Sequence, residues 1–493
     1  MRQRTSILLP RLVAAFVLLG LAVAVPRGAH AHGLHGHVHV TGWALENLPE
    51  GELRSMFEDP DVFHAALSGA MFPDTGYALD RPGARDYGES AHWEPFIEPF
   101  VQLIRTKYGP TYDTKEEKML IAFLLGCASH GLQDELFDST FLFEVEQRDG
   151  PGQEITDPAI DGFLVLEGYF RLLPREYFPI DELLPLYESI NPVIDHDLIA
   201  GLVQVVRDAY VNDSLGVRIA AGNGSRYRRR IPWAGDHWID IDVPGSLGAE
   251  IEATRRHIEA VWERVNGRYS DEQLVVHTWP DPPRRLRSAD HTSVASWITF
   301  VFGKGVQEGS ATTSLVDSSG TPHPYNLRYT RYGGTSRIIR FQPTADFVPG
   351  ETYTATINAG ATLIDGSVTT VAQQRQFQVE CSTPEDPRCA AVVVTDDPTI
   401  ILPPPTATPT TTSTRTPTAT PTQRIEPTST PTPPPCAGDC GADLVVRVDE
   451  LLRCVSMATG SSLSCAGCDS DADGQVTVDD LVRAVEAALS GCD

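Results

Sequence analysis

Residues 396–435 end in "PPPTATPTTTSTRTPTATPTQRIEPTSTPTPPP", a run that can build neither a helix nor a sheet. Proline removes backbone donors and fixes φ, and the threonines between add no core. The segment is expected to be an extended, semi-rigid linker. It divides the 493 residues into a long N-terminal part and a tail, 436–493, that fold separately. The long part is itself too large for one hydrophobic core, so a multidomain chain is expected.

The first 31 residues have the form of a secretory leader. Arg2 and Arg4 precede an apolar stretch, and Ala29-His30-Ala31 is a small-x-small cleavage pattern. Cleavage there makes His32 the first mature residue and predicts an exported or cell-surface protein. Arg11 and Pro26 interrupt the apolar run, which disfavours a membrane span, and no later stretch is long and apolar enough for one. The chain carries a net charge of −27, and loss of a leader with four Arg and no acid takes it to −31. Such a surface repels nucleic-acid backbones and anionic lipids, while it attracts divalent cations.

Two textures follow. Over 32–269, stretches such as "WEPFIEPFVQLIRTKY", "DGFLVLEGYFRLL" and "HDLIAGLVQVVRDAY" repeat apolar residues every three or four positions, which predicts an all-α domain. The basic run "RYRRR" at 226–230 is expected in a solvated loop. From about 273, short β-rich runs ("QLVVHTWP", "ASWITFVFGKGV", "SRIIRFQP", "TYTATINAG") alternate with Gly, Pro, Asp and Ser turns. They predict a β-sandwich over 274–381. On "FQPTADFVPGETYTATI" and "LVDSSGTPHPYNL" this segment resembles bacterial Ig-like domains, which implies a spacer or binding module.

Of nine cysteines, Cys127 lies in an apolar helix, and Cys381 and Cys389 could pair across a short loop. Cys436, Cys440, Cys454, Cys465, Cys468 and Cys492 crowd the tail, where disulfides are favoured over a zinc ribbon. The tail also holds "DSDADGQVTVDD". Asp469, Asp471, Asp473, Thr477 and Asp480 stand at positions 1, 3, 5, 9 and 12, with Gly474 at 6: the spacing of an EF-hand Ca2+ loop. An earlier loop keeps Asp439, Asp443 and Glu450 but has Leu444 at the turn position, and is expected to bind calcium weakly. Paired loop–helix units of this kind resemble dockerin modules, which implies a protein or cell-surface partner; calcium as a folding staple is the simpler reading.

The chemistry concentrates in "LIAFLLGCASHGLQDELFDS", residues 120–139. His130, Asp134 and Asp138 recur every four residues, so a helix puts them on one face. Taken alone, the pattern also fits a satisfied core histidine beside solvated acids. Further imidazoles and carboxylates stand in "HGLHGHVHVTGWALE" (His32, His35, His37, His39), "SGAMFPDTGY" (Asp74), "ESAHWEPF" (His92) and "EITDPAIDGFLVLEG" (Asp157, Asp161). This is a zinc ligand set.

On the first three of these blocks and "EEKMLIAFLLGCASHGLQD", the chain resembles the zinc-dependent phospholipase C family over about 32–215; single-strand-specific zinc nucleases share that helical fold. The resemblance implies a cluster of two or three Zn2+. Asp74, His92, His130 and Asp134 would hold one ion. Asp134 would bridge to a second, held by His37 and the backbone of His32. Asp138, Asp157 and Asp161 stand where the family commonly has two His and an acid; three carboxylates suit calcium, magnesium or manganese better than zinc. The candidate catalytic carboxylates are Asp74 and Glu89, with Asp86 an alternative to Glu89. The implied activity is metal-assisted hydrolysis of phospholipids or related phosphodiesters. A single-strand nuclease and a non-catalytic surface protein with a structural metal cluster are the other readings, the acidic charge disfavouring long polynucleotides.

Overall fold

The computed structural model describes residues 33–381, apart from 79–81, 170, 172, 191–193, 282–284 and 331–333. In the tail it describes 436–440, 446, 450, 451, 454, 457, 465–470 and 475–490. The leader through His32, the linker 396–435, Cys389, Asp443, Asp471, Asp473 and Cys492 lie outside the described residues.

The helical part runs α1 (Leu34–Glu46), α2 (Glu52–Met56), α3 (Pro60–Met71), a 3-10 turn (Pro73–Ala78), α4 (Ala84–Ala91), α5 (Glu94–Lys107) and α6 (Lys115–Leu136). A π-helical turn (Phe137–Phe141) leads into α7 (Leu142–Arg148), then α8 (Gln153–Leu166), α9 (Ile180–Ile190), α10 (His196–Arg230), α11 (Pro232–His237) and α12 (Leu247–Val265). The central element is α6. Thr114 and Glu117 cap its start reciprocally, satisfying two amides that the first turn leaves without helical partners. Every residue from Leu120 to Leu136 is buried, so His130 and Asp134 sit inside the protein rather than on a solvated face.

Glycines let α3 approach α6 closely. A Cβ at Gly69 would lie 2.1 Å from the carbonyl oxygen of Phe123, and one at Gly126 would lie 2.0 Å from that of Ala66. This contact holds the end of α3, and hence Asp74 in the turn after it, against the middle of α6. The main aliphatic–aromatic core around Phe72, Phe96, Phe100 and Phe123 fills one side of α6. A second core around Trp43, Phe141, Phe163 and Trp238 fills the space among α1, α8 and α11.

Seven antiparallel strands follow: β1 (Val275–Trp279), β2 (Ile298–Gln307), β3 (Thr313–Asp317), β4 (Tyr325–Tyr329), β5 (Thr335–Pro343), β6 (Thr352–Ile357) and β7 (Gln373–Gln378). They form sheets in the orders β1-β2-β5-β4 and β3-β6-β7, enclosing a core with Phe300, Phe302, Phe341 and Phe377. The spacer expectation is corrected here. The four-stranded sheet packs its outer face on the helices: α12 lies against β1 and β2, and α5 and α6 against β5. Val301 and Ile338 join Leu132, Leu136 and Ala253 in one buried cluster across the boundary. The buried Arg264 of α12 donates to Glu94 and Glu98 of α5 at 2.6–3.0 Å and to the Gly303 carbonyl at 3.1 Å.

One further reading changes, while the disulfides favoured for the tail are present. Residues 226–230 form the last turn of α10 rather than a loop, where cations suit the carbonyl end of a helix. Arg228 there pairs with Glu167. In the tail, Cys440–Cys465 and Cys454–Cys468 are disulfides, so the four sulfurs that lie close enough to suggest a metal site are already committed to one another. The final helix is α13 (Val478–Ser490). Among the described residues, no helix is long and apolar enough to cross a membrane.

Two stability tests follow. Gly126→Ala must drive α3 from α6, with an expected loss of about 2–3 kcal/mol and a fall in Tm of about 5–10 °C by calorimetry. The second concerns His257, buried against the Phe302 carbonyl. Burial, with Arg337 and Arg264 nearby, depresses it to about 3, against the pull of Glu94. The unfolded chain therefore takes up a proton below pH about 6.5 that the folded chain refuses. Stability falls as pH drops through that window, by about 1.4 kcal/mol per pH unit from this group. His257→Gln is expected to flatten that slope in urea titrations at pH 4–7.

Candidate metal centre

Five of the residues singled out from sequence meet in one buried place. His37 comes from α1, Asp74 from the 3-10 turn, His92 from the end of α4, and His130 with Asp134 from adjacent turns of α6. His92 Nε2 lies 3.0 Å from Asp134 Oδ2 and 3.0 Å from His130 Nε2. His37 Nε2 lies 3.3 Å from Asp134 Oδ1. The Asp74 oxygens lie 3.5–3.8 Å from the Nε2 atoms of all three histidines. The His37 and His130 rings stack at 3.6 Å between centroids.

Each ring is oriented from behind. The Nδ1 of His130 meets the Ala70 carbonyl at 2.7 Å, that of His92 meets the Gly88 carbonyl at 2.7 Å, and that of His37 meets Gln133 Oε1 at 3.0 Å. A bond of this kind places the proton on Nδ1 and leaves the Nε2 lone pair facing inward. Gln133 is held in turn: its amide donates to Thr41 Oγ1 at 3.0 Å, and Thr41 meets Ser129 at 2.8 Å. Three inward imidazole nitrogens and two carboxylates fit a zinc ion by donor chemistry.

The electrostatics agree with a site built for a cation. Burial opposes charging His92, but Asp134 and Asp74 prevail and raise it to about 10. Burial and the neighbouring His130 lower His37 to about 4. Despite burial, the three histidines hold Asp134 well below the usual carboxylate range. Beyond Asp134 lies a wall of acids. Burial first, and then neighbouring carboxylates, push Asp138 and Asp157 well above their ordinary values.

The three acids expected to form a further site do not close into a compact ligand set. Among the described residues, no group of three ligand atoms within 4.8 Å of one another includes Asp138, Asp157 or Asp161. Asp138 accepts from Gln153 at 3.1 Å. Asp161 accepts from the Gly36 amide at 2.9 Å and the His35 amide at 3.4 Å, anchoring the first turn of α1. Asp157 is buried, and its Oδ1 has no hydrogen-bond partner among the described residues. Glu89 is committed as well, accepting from Tyr77 Oη at 2.8 Å and Trp93 Nε1 at 3.1 Å. Asp86 is exposed. His32 lies outside the described residues.

Sequence reasoning missed Glu250. It is fully buried in α12, and burial, Asp134 and Asp138 push its carboxyl well above the ordinary range. A signal was present: Glu250, Thr254 and His257 occupy the i, i+4, i+7 positions that an amphipathic helix turns to the core. In the tail, Asp480 is buried and accepts from the amide and hydroxyl of both Ser470 and Thr477, at 2.7–3.0 Å. Glu450 accepts from the Cys440 amide at 2.8 Å. Asp439 is buried, and Asp443, Asp471 and Asp473 lie outside the described residues.

Residues 36–135, which contain His37, Asp74, His92, His130 and Asp134, match the family described as zinc dependent phospholipase C, and 286–383 match the bacterial Ig-like domain. Among curated proteins, the chain is similar to phosphatidylinositol-glycan-specific phospholipase D. The Bos taurus protein is 33% identical over 192 residues, covering 35% of this chain and 22% of the relative. The Homo sapiens protein is 30% identical over 173 residues, covering 32% and 20%. The chain thus spans about a fifth of the length of these relatives. Two solved structures show weak likeness: CopC from Methylosinus trichosporium OB3b (16% identity, 22% of this chain and 95% of that one, TM-score 0.18) and the S-layer protein rSbsC(31-844) (11%, 65% and 45%, TM-score 0.17). At those scores neither bears on function.

The orientation of His37 is open to test. Gln133→Leu removes the acceptor behind the ring at nearly constant volume. Zinc affinity, measured by competition with a chromophoric chelator, is expected to fall about 10- to 100-fold.

Proposed function

We propose that this chain is an exported, zinc-dependent phosphodiesterase of phospholipase C type, acting on phospholipids or closely related phosphodiesters. The observation that carries the reading is the convergence of His37, Asp74, His92, His130 and Asp134 inside the segment matched by the zinc dependent phospholipase C family. The similarity to phosphatidylinositol-glycan-specific phospholipase D adds an inositol phospholipid to the substrates worth trying.

In this reading His92, His130, Asp74 and Asp134 would hold one zinc ion, and His37 with Asp134 would contribute to a second. Zinc bound there supplies Lewis-acid polarisation of the phosphodiester oxygens and of the attacking water. The protein does the rest. The three backed imidazoles keep their Nε2 atoms presented without rearrangement, so the site is preorganised. Asp74 and Tyr77 are the partly exposed members, which sets the side from which substrate enters. Glu89 fixes the Tyr77 hydroxyl at that entrance; Asp74, facing the histidines and solvent together, is the carboxylate placed to orient water. In the tail, Asp469, Asp471, Asp473, Thr477 and Asp480 would take calcium as a folding staple.

The test uses the purified full chain. Two or three zinc ions per chain by elemental analysis, and diacylglycerol released from phosphatidylcholine or phosphatidylinositol vesicles, are expected. His130→Ala should lower turnover by at least about 100-fold with its circular dichroism spectrum unchanged. Release of phosphatidate instead would move the scission to the other ester bond. No transition metal in a folded protein would end the enzyme reading.

A further inference from the structure

Arg337 belongs to β5 of the sandwich, yet its side chain ends inside the helical domain, fully buried. Its Nε donates to Glu135 Oε1 at 2.9 Å, and its backbone amide donates to Glu135 Oε2 at 3.1 Å. Its Nη1 donates to the Ala128 carbonyl at 3.2 Å and its Nη2 to the His92 carbonyl at 2.7 Å. Glu135 directly follows Asp134, and Ala128 lies two residues before His130. One guanidinium therefore holds both flanks of the His130–Asp134 segment and, at the same time, the peptide of His92.

We propose that Arg337 is a positioning residue of the metal centre: the β-sandwich reaches through it to set the spacing between His92 and the His130–Asp134 segment of α6. The proposal rests on the reading that these residues hold zinc. Three physical points support it. Docking the sandwich and neutralising the charge need only Glu135; the two carbonyl bonds are additional, and one falls on a ligand residue itself. The guanidinium is a rigid planar fork, so its acceptors keep fixed positions relative to one another. And His92 is packed directly on α6, because a Cβ at Gly131 would lie 1.8 Å from the His92 carbonyl oxygen and 2.6 Å from Arg337 Nη2. Withdrawing the guanidinium releases His92 at the point where its Nε2 stands 3.0 Å from both His130 and Asp134. Ligand placement matters at the level of about 0.2 Å for a metal site. Leu132, Leu136, Val301 and Ile338 seal the region, so water is not at hand to replace the lost bonds.

The experiment compares Arg337→Lys, which keeps the charge but not the fork, with Ile338→Ala, which loosens the same boundary without touching a ligand residue. Arg337→Gln is made in parallel, so a folding failure of one substitution leaves the other to decide. All are made in the full chain. Zinc affinity is read by chelator competition, ligand geometry by the visible spectrum of the cobalt(II)-substituted protein, and fold by circular dichroism and Tm. The expected result is zinc affinity about 10- to 100-fold weaker in the Arg337 variants, with a changed cobalt spectrum. Ile338→Ala should lose several degrees of Tm and keep both metal readouts. Wild-type affinity and spectrum in a folded Arg337 variant would overturn the proposal. So would an equal loss in Ile338→Ala, which would make domain docking, rather than the fork, responsible. A wild-type protein that binds no zinc would instead remove the underlying reading of the site, and the two failures are thereby told apart.

Discussion

Carboxylates buried next to one another are the constraint around which this structure is arranged. Asp157 feels Asp138, Asp134, Asp74 and Asp161, and Glu250 feels Asp134 and Asp138, with only Asp74 and Asp138 partly exposed. Like charges in a low dielectric are costly unless protonated or neutralised by cations. Three imidazoles supply part of the answer, and each arrives from a different helix. The topology of the helical part can be read as the means of delivering these groups: glycines bring α3 onto α6, the turn after α3 brings Asp74, and α4 ends on His92. The two apolar cores on either side then fix the helices that the polar centre alone would push apart.

The second organising element is α12. Its faces are shared between two bodies: Glu250 looks toward the acids, His257 and Arg264 toward the sheet, and Arg264 also ties α5. A helix at the end of one domain thus serves as the floor of the next. The sheet responds in its sequence, since nine of the ten residues of β2 are buried.

Much of this was legible in the chain, and for identifiable reasons. The helical texture follows from apolar spacing of three to four and the β texture from short β-rich runs set between turn residues, and they separate near residue 273, between α12 and β1. His130 and Asp134 are visible because helix spacing is fixed, while Asp74 and His92 needed the resemblance, since nothing in sequence distance says that they meet. The orienting groups were not legible: Gln133 and Thr41 are ordinary polar residues until the fold puts them behind a ring. Arg337 was missed because "SRIIRFQP" reads as a half-exposed strand, whose arginines belong in solvent. The hint lay in "ASWITFVFGKGV", an apolar run without alternation, which marks a strand covered on both faces. Asp161 shows the opposite case, a carboxylate at plausible ligand spacing that caps the first turn of a helix.

The shared boundary also bears on how such a chain can arise and be recombined. Bacterial Ig-like domains are commonly thought of as interchangeable beads, joined wherever one sequence texture gives way to the next. Here a cut near residue 273 would pass between α12 and the strands resting on it, and would leave Glu135 buried without its cation. The helical part and the sandwich therefore form one structural unit. A substituted sandwich would have to bring an arginine at the matching place on its fifth strand, which makes this junction an interior rather than a seam.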